Sequence, residues 1–325
     1  MNRRDSIIVL IACTVTPVIS KAQRTDHAIN TVGVLLPQLL EHTPHYTAFL
    51  RKLRLLGYED GRNLRIVMRS ADGKLERLPA LAAELVAAKV EMVVAFNGPG
   101  VQAAIRATKD IPIVMVAVGD PIGLGFVSNL ARPGGNVTGA SNMVAELGSK
   151  RLAVLKELVP HAKRIAALFN PDDPVTAPQQ RDLETAARAL KIDVRFFPVR
   201  AGKELAGAFN NIRAWRAEAG LWLLGQQHAF QAASIQLAAK HHLPLMITFR
   251  EYVAAGGLIS YLSDSVEVHE RAAAFVDRIL KGAKPGDLPV EQPTKFELII
   301  NLKTAKVLGI KIPQSLLIRA DEVIE

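Results

Sequence analysis

Cysteine is almost absent from this chain of 325 residues, and the single one, Cys13, lies close to the N-terminus. One cysteine can form no internal disulfide and no cysteine-based metal site. The fold must therefore be held together by burial of apolar side chains, which make up 49% of the residues. Because this length exceeds the usual size of one domain, we expect two lobes.

Motifs that serve catalysis or cofactor binding are also lacking. The stretch VMVAVGDPIGLG at 114–125 places glycines after an apolar run, but it lacks the lysine and hydroxyl of a phosphate loop. There is no G-x-G-x-x-G after the first strand, no G-x-S-x-G and no H-E-x-x-H. The pairs His42 with His45 and His241 with His242 are interpreted as surface or helix-cap residues. We predict no enzyme activity, no cofactor and no metal site.

Positive charge is in excess, but it is not concentrated. The formal net charge is +9, the basic residues are scattered, and aromatic residues make up only 5% of the chain. A nucleic-acid surface needs clustered basic residues, often with aromatics between them. No apolar run past the N-terminal segment approaches the roughly twenty residues that span a membrane. We predict no nucleic-acid partner, no membrane span in the mature chain, and a monomer.

The N-terminal segment has the pattern of an export signal. Arg3 and Arg4 precede the apolar run IIVLIAC, and small residues stand at positions minus three and minus one of a cut after Ala22. We predict a signal over residues 1–22 and a periplasmic mature protein. The competing interpretation takes LIAC as a lipoprotein box, which leaves Cys13 lipidated at the mature N-terminus. The short apolar stretch ahead of that cysteine favours the cut after alanine.

Apolar segments alternate with amphipathic helical segments twice in the same order. They lie at 31–37, 64–69, 90–98 and 111–121 in the first half, and at 164–171, 194–200, 219–226 and 243–251 in the second. Unbroken apolar strands between amphipathic helices indicate parallel sheets that are covered on both faces. We predict an α/β fold of two Rossmann-like, doubly wound lobes with a cleft between them. The elements after residue 255 are expected to complete both sheets.

The predicted strand ends carry the residues that suit a binding site. In an open parallel sheet, ligands bind outside the carboxyl ends of the strands. These ends are rich in Pro, Gly, Asn, Gln and Asp, with aromatic residues among them. Such a composition suits a small ligand that has both polar and apolar parts. The sequence therefore predicts a clamp that closes two lobes over a small molecule.

Several motifs together resemble one family over nearly the whole mature chain, from about 32 to 325. They are ERLPALAAEL, VGDP, LARPGGNVTG, FREYVAAGGLISY and LPVEQPTKFELIINLKTAKVLG. The chain resembles the ABC transporter substrate-binding proteins of the tryptophan- and phenylalanine-binding group. The resemblance implies a type I periplasmic binding protein fold, with crossovers between the lobes near 135–139, 254–257 and 290–296. It implies lobe 1 at 30–139 plus 257–290 and lobe 2 at 140–256 plus 291–325.

The resemblance also implies a function. The protein is expected to bind a small solute outside the cytoplasm and to deliver it to the permease and ATPase subunits of an importer. The solute is expected to be an aromatic amino acid or a related aromatic or carboxylate compound. The loop from Phe96 to Gly100 carries no Ser or Thr, so hydroxyl donors for a ligand carboxylate are missing there. The alternative function is a ligand-sensing domain of a regulator or sensor that acts through a separate partner.

Candidate ligand-binding residues follow from matching the family motifs to the strand ends. They are Pro37, Gln38, Phe96, Asn97, Gly98, Asp120, Asn142, Asn170, Gln226, Gln227, Phe249 and Asp264. Either Asp120 or Asp264 is a candidate partner for a ligand ammonium, since a buried carboxylate needs a partner charge. Donors at Asn97, Gly98 and Asn142 are candidates for a ligand carboxylate.

Several of these residues also have a purely structural interpretation. Aspartate before proline is a common turn former, so for Asp120 a role in a turn and a contact with the ligand are equal alternatives. Phe249 is also consistent with a core residue, and Gln226 and Gln227 with solvated loop residues. The two carboxylates of NPDDP, at 172–173, are interpreted as helix-cap or surface residues.

Overall fold

The computed structural model describes residues 29–38, 43–173, 175–225 and 228–325. The predicted export signal, including Cys13, lies outside the described residues, as do the candidate site residues Gln226 and Gln227. No helix in the described part of the chain is both long and apolar enough to cross a membrane.

The first sheet is parallel. It contains β1 (Asn30–Leu36), β2 (Leu64–Ser70), β3 (Met92–Phe96), β4 (Ile113–Val118) and β5 (Val137–Ser141). The strands lie in the order β2-β1-β3-β4-β5. Helices α1 (Pro44–Leu55), α2 (Leu78–Ala87) and α3 (Asn97–Ala107) connect the first four strands.

The ends of α1 follow the expected capping chemistry. The hydroxyl of Thr43 accepts a hydrogen bond from the amide of Tyr46 at 3.3 Å, and Pro44 occupies the first turn. Gly57, just beyond the helix, has φ +93°, which favours glycine because it has no side chain to clash. A capping threonine, a proline in the first turn and a following glycine are typical start and stop signals of a helix, and α1 begins and ends at them.

The second sheet is larger and mixed. It contains β6 (Arg164–Phe169), β7 (Asp193–Pro198), β8 (Ala219–Trp222), β9 (Leu245–Ile247), β10 (Ile259–Ser263), β11 (Phe296–Asn301) and β12 (Glu322–Ile324). Its order is β12-β11-β10-β9-β8-β6-β7, and only the β10–β11 pair is antiparallel. Its helices are α4 (Leu147–Leu158), α5 (Thr176–Leu190), α6 (Leu205–Ala214), α7 (His228–Lys240), α8 (Arg250–Ala254), α10 (Leu302–Val307) and α11 (Gln314–Arg319).

The two sheets repeat one topology. The order β2-β1-β3-β4 of the first sheet corresponds to β7-β6-β8-β9 in the second, and the strands follow each other in the same sequence. The eight predicted strands are the eight strands of these two sets. Each sheet is covered by apolar clusters on both faces, as the unbroken apolar strands predicted. The α/β fold of two doubly wound lobes is therefore confirmed.

One predicted crossover is a strand. The segment at 135–139 overlaps β5, which pairs with β4 at the edge of the first sheet. The crossover at this segment was implied by the family resemblance alone, and the place of Gly139 in the strand has a steric reason. A Cβ on Gly139 would clash with the Met115 carbonyl oxygen, so only glycine fits beside β4 here.

The lobe boundaries also differ from those predicted. Residues 257–290 were assigned to lobe 1, but β10 within them pairs with β9 and β11 of the second sheet. Only the following helix, α9 (Ser265–Leu280), packs on the first sheet, against α1, β4 and β5. We therefore use "first lobe" for the first sheet with α1, α2, α3 and α9, and "second lobe" for the second sheet with its helices. A strand pattern in sequence does not reveal which sheet the strand joins.

Three connections run between the lobes, after Ser141, after Ser263 and at Val290–Glu291. The first and third are tied together, because the amide of Ser141 donates to the Glu291 carbonyl and the Glu291 amide donates to the Gly139 carbonyl, both at 2.9 Å. The Glu291 carboxylate accepts from Arg271 at 2.9 Å and from Arg278 at 2.7 Å, both on α9. These contacts fix the crossovers beside the cavity described next.

Candidate functional site

A cavity of about 370 Å³ lies between the two lobes, at the carboxyl ends of the strands of both sheets. Its first-lobe lining is Pro37, Gln38, Thr43, His45, Gly73, Phe96, Asn97, Gly98, Pro99, Gln102, Ala117, Gly119, Leu124, Phe126, Ser265, Val268 and His269. Its second-lobe lining is Asn142, Val144, Asp173, Val175, Leu224, Gly225, Phe249, Leu262 and Ser263. The size and the largely apolar wall suit a ligand of the size of an amino acid.

The structure brings most of the predicted site residues together. The seven that line the cavity are Pro37, Gln38, Phe96, Asn97, Gly98, Asn142 and Phe249. Asp120, Asn170 and Asp264 are not among the lining residues. A contact between these three residues and a ligand stays a prediction for which the structure offers no geometry.

The side chains of these three residues instead accept hydrogen bonds from nearby backbone amides. Asp120 Oδ1 accepts from the amide of Gly123 at 2.7 Å, which is the turn interpretation offered for the GDP sequence. Asn170 Oδ1 accepts from the amide of Asp172 at 3.0 Å. Asp264 caps α9 by accepting from the amides of its second and third residues, and its other oxygen lies 3.2 Å from Lys295 Nζ.

Asp173 is a site residue that was not predicted from the sequence. It was interpreted as a cap or surface residue, and its Oδ1 does accept from the amide of Val175 at 3.1 Å. However, only 8% of the residue is exposed, and it lines the cavity. Among the lining residues that the structure describes, Asp173 is the one carboxylate, and there is no Lys or Arg. Its position in NPDDP, directly after β6, was the available signal.

A second polar feature of the cavity is the beginning of α3. Asn97 and Gly98 form its first turn and line the cavity, and no side chain in the described part of the protein caps this end of the helix. Amide groups at a helix N-terminus, together with the helix dipole, favour a negatively charged group. The cavity therefore offers a region for an anion at α3 and a carboxylate for a cation at Asp173.

Aromatic rings form a continuous wall that joins the two lobes. Phe96, at the end of β3, lies 5.6 Å from His269 of α9, measured between ring centroids. His269 lies 5.5 Å from His45 of α1, and His45 lies 6.2 Å from Phe249 of the second lobe. These spacings are those of interacting aromatic pairs. The two histidines are 224 positions apart, so their pairing left no local signal in the sequence.

Both histidines are held neutral by their surroundings. Burial lowers the pKa of His269 to about 4, with a smaller opposing effect from its hydrogen bond to the Ser265 carbonyl and a further lowering by His45. Burial also lowers the pKa of His45, although Glu251 and Asp264 act in the opposite direction. At neutral pH the aromatic wall therefore carries no charge.

The depressed pKa of His269 predicts a loss of stability in acid. The unfolded chain binds the proton near pH 6.5 and the folded chain only near pH 4, so stability falls as the pH falls through this window. We expect the free energy of unfolding at pH 5 to be lower than at pH 7 by up to about 2 kcal/mol from this residue. Denaturant titration of the ligand-free protein measures this difference. His269→Gln should reduce it, whereas the same change at the exposed His161 should not.

Two buried polar residues shape the second-lobe wall. Gln179 of α5 donates to the Leu224 carbonyl at 2.6 Å and accepts from the Leu224 amide at 2.8 Å. Arg151 of α4, only 1% exposed, donates to the carbonyls of Trp222 at 2.6 Å and Ile247 at 3.1 Å. The carbonyls of Trp222 and Ile247 lie at the ends of β8 and β9. The side chains of Gln179 and Arg151 therefore hold the loops after these strands, which carry Leu224 and Phe249 to the cavity wall. Burial lowers the pKa of Arg151 to about 9.

The lobes contact each other where the turn after β4, at residues 119–121, meets the start of α5. Gly119 follows β4, and its carbonyl accepts from the amide of Ala145 in the second lobe at 3.5 Å. A Cβ on Gly119 would lie 2.8 Å from Val175 Cγ2 and 3.2 Å from Val144 Cβ, both in the second lobe. Glycine here allows the two lobes to approach each other at the edge of the cavity.

Comparison with known proteins identifies the family. The sequence profile described as "ABC transporter substrate binding protein" matches residues 34–324, which is most of the chain. The chain belongs to this family. By the description of the family, its members are substrate-binding proteins of ABC transporters.

Three individual proteins are similar to this chain in sequence, and two of them are also similar in structure. A tyrosine-binding protein from Clostridioides difficile is 29% identical over 281 residues, covering 85% of this chain and 80% of that protein. A domain from Streptococcus pneumoniae, solved in complex with L-Trp, is 27% identical with a TM-score of 0.83, covering 91% of this chain and all of that one. A conserved domain protein from Vibrio cholerae is 28% identical, with the same TM-score and coverage.

Proposed function

We propose that this protein binds an aromatic amino acid outside the cytoplasm and delivers it, chemically unchanged, to the permease and ATPase of an ABC importer. Family membership supports transport, and the predicted signal over residues 1–22 supports export to the periplasm. The names of two similar proteins, one tyrosine-binding and one crystallised with L-Trp, support the ligand class.

The observation that carries the proposal is the division of chemistry within one cavity. Asp173 offers a buried carboxylate for an ammonium group, and the N-terminus of α3 offers amides for a carboxylate. The rings of Phe96 and Phe249 bound the remaining space, which suits an aromatic side chain. A zwitterion with an aromatic side chain satisfies all three features at once.

Binding by both lobes also explains how occupancy would be signalled. The ammonium site lies on the second lobe and the carboxylate site on the first, so a zwitterion gains both contacts only when the lobes approach. A ligand that binds the closed form more tightly shifts the population toward it. The permease would then recognise the closed, loaded protein.

Thermal-shift and calorimetric titrations test the proposal. We expect L-Trp, L-Tyr or L-Phe to raise the melting temperature, since a ligand that binds only the folded state stabilises it by mass action. Analogues without the ammonium or without the carboxylate should bind at least about tenfold more weakly. Small-angle scattering should show closure, and mass spectrometry should recover the ligand unaltered. Absence of any response to all three amino acids would overturn the proposal.

A further inference from the structure

The aromatic wall contains one hydrogen-bonding group whose orientation is fixed by the fold. His269 Nδ1 lies 2.6 Å from the carbonyl oxygen of Ser265, one turn earlier on α9. A carbonyl oxygen can only accept, so Nδ1 must carry the proton of this contact. In the neutral imidazole the second nitrogen, Nε2, then carries no proton and can only accept a hydrogen bond.

Its surroundings keep His269 in that neutral form. The residue is 6% exposed and its ring lies between those of Phe96 and His45. Burial depresses its pKa to about 4, and the neighbouring His45 acts in the same direction. The acidic groups near this pair, Glu251 and Asp264, act on His45. At physiological pH the nitrogen therefore stays an acceptor.

This acceptor is available to the cavity. His269 lines the cavity, and Nε2 has no hydrogen-bond partner among the described residues. A few side-chain polar atoms of the described residues are fully buried and have no hydrogen-bond partner, and the neighbouring His45 Nδ1 is one of them. His269 Nε2 is not one of these fully buried atoms. Nε2 is therefore both unpartnered and open to a bound molecule. Once a ligand fills the cavity and excludes water, this acceptor costs free energy if it is left unpaired, so a ligand that supplies a donor is favoured.

We propose that His269 Nε2 accepts a hydrogen bond from the ring of the ligand, so that the preferred ligand is an aromatic amino acid with a ring O–H or N–H donor. This inference rests on the proposed function and narrows it. A phenol and an indole supply the same chemistry, whereas a plain phenyl ring leaves the nitrogen unpaired. A ring with an anionic substituent places a second acceptor against the lone pair and is rejected.

Matched ligands test this on the unaltered protein. Calorimetry would compare L-Tyr with L-Phe and with O-methyl-L-tyrosine, and L-Trp with 1-methyl-L-tryptophan. We expect the donor-bearing member of at least one series to bind about ten- to a hundredfold more tightly than its partners, because the others leave the acceptor unpaired. The series that shows the preference distinguishes a phenol from an indole ligand.

Two substitutions assign the preference to this nitrogen. His269→Leu should bring the affinities of donor-bearing and donor-free ligands to within about threefold, mainly by weakening the former. His269→Gln, whose amide oxygen can accept, should restore part of the preference. A purely structural role would weaken both ligand types equally. His161→Leu, which removes an exposed histidine that does not line the cavity, should retain the preference.

The outcomes separate this inference from the proposed function. If L-Tyr, L-Trp and L-Phe all bind but neither donor-bearing ligand is preferred, the acceptor role is overturned while the proposed function stands. A preference that survives unchanged in His269→Leu overturns it as well. If no aromatic amino acid binds, the proposed function fails, and this inference fails with it.

Discussion

Asp173→Asn is expected to weaken the binding of aromatic amino acids by about 30-fold to several thousandfold. This range corresponds to about 2–5 kcal/mol, the cost of removing one partner of a buried, hydrogen-bonded charge pair. Asp173 as a residue is 8% exposed, and the described residues that line the cavity with it include no Lys or Arg. A ligand ammonium that enters the cavity therefore depends on this residue for charge compensation. Calorimetric titration with the best ligand of the screen measures the effect.

The substitution leaves the local fold in place. Asparagine keeps an oxygen that can accept from the Val175 amide, as Asp173 Oδ1 does at 3.1 Å, so the start of α5 is retained. Asp172→Asn is the matched control, because its side chain is 68% exposed and its closest ionic partner is Arg200 at 3.5 Å. The control should bind within about twofold of the native protein. Equal affinities for the two variants would place the ammonium elsewhere.

Gly119→Ala is expected to weaken binding from several-fold to about a hundredfold without unfolding the protein. The added methyl would lie 2.8 Å from Val175 Cγ2, so the lobes could reach the observed approach only with overpacking. Overpacking typically costs about 1–3 kcal/mol, which lowers the population of the closed form and hence the apparent affinity. The backbone at Gly119 is not left-handed, so alanine introduces no backbone strain. Titration calorimetry gives the affinity, and small-angle scattering gives the extent of closure.

A second substitution in the other lobe checks the steric explanation. Val175→Ala removes the Cγ atoms that the new methyl would meet, so the double variant should recover part of the lost affinity. Gly135→Ala is the control for adding a methyl, because a Cβ there meets nothing within 4 Å. If the double variant binds no better than Gly119→Ala alone, the contact between the lobes does not limit closure.

Local patterns predicted most of the fold. Eight strands and the ends of α1 followed from apolar runs and from the capping residues, because burial and capping act over short stretches of chain. The helical spacing of four apolar residues in α9 indicates one buried face, and all four are buried: Val268, Ala272, Phe275 and Ile279. The sheet to which β10 belongs did not follow, since its neighbours β9 and β11 are chosen by tertiary packing.

The location of the site and several of its lining residues were predicted from the sequence. The carboxylate of Asp173 and the ring nitrogens of His45 and His269 were not. Residues such as Phe96, Asn97 and Phe249 followed from the family resemblance, applied at the carboxyl ends of the strands where ligands meet parallel sheets. Asp120 and Asp173 look alike in sequence, each beside a proline after a strand, and both accept a turn amide. Only the packing of the lobes places one in the cavity lining and leaves the other out of it.

The paired crossovers at Gly139, Ser141 and Glu291 have a mechanical consequence. Two of the three connections are joined by reciprocal amide bonds and anchored to α9 through Arg271 and Arg278, so neither can slide past the other. We expect relative motion of the lobes to be restricted to bending about one axis. The angle between the two lobes would then report whether the cavity is occupied. A membrane partner could sense this angle without contacting the bound molecule. Scattering profiles of the free and loaded protein should fit rotation about that axis alone.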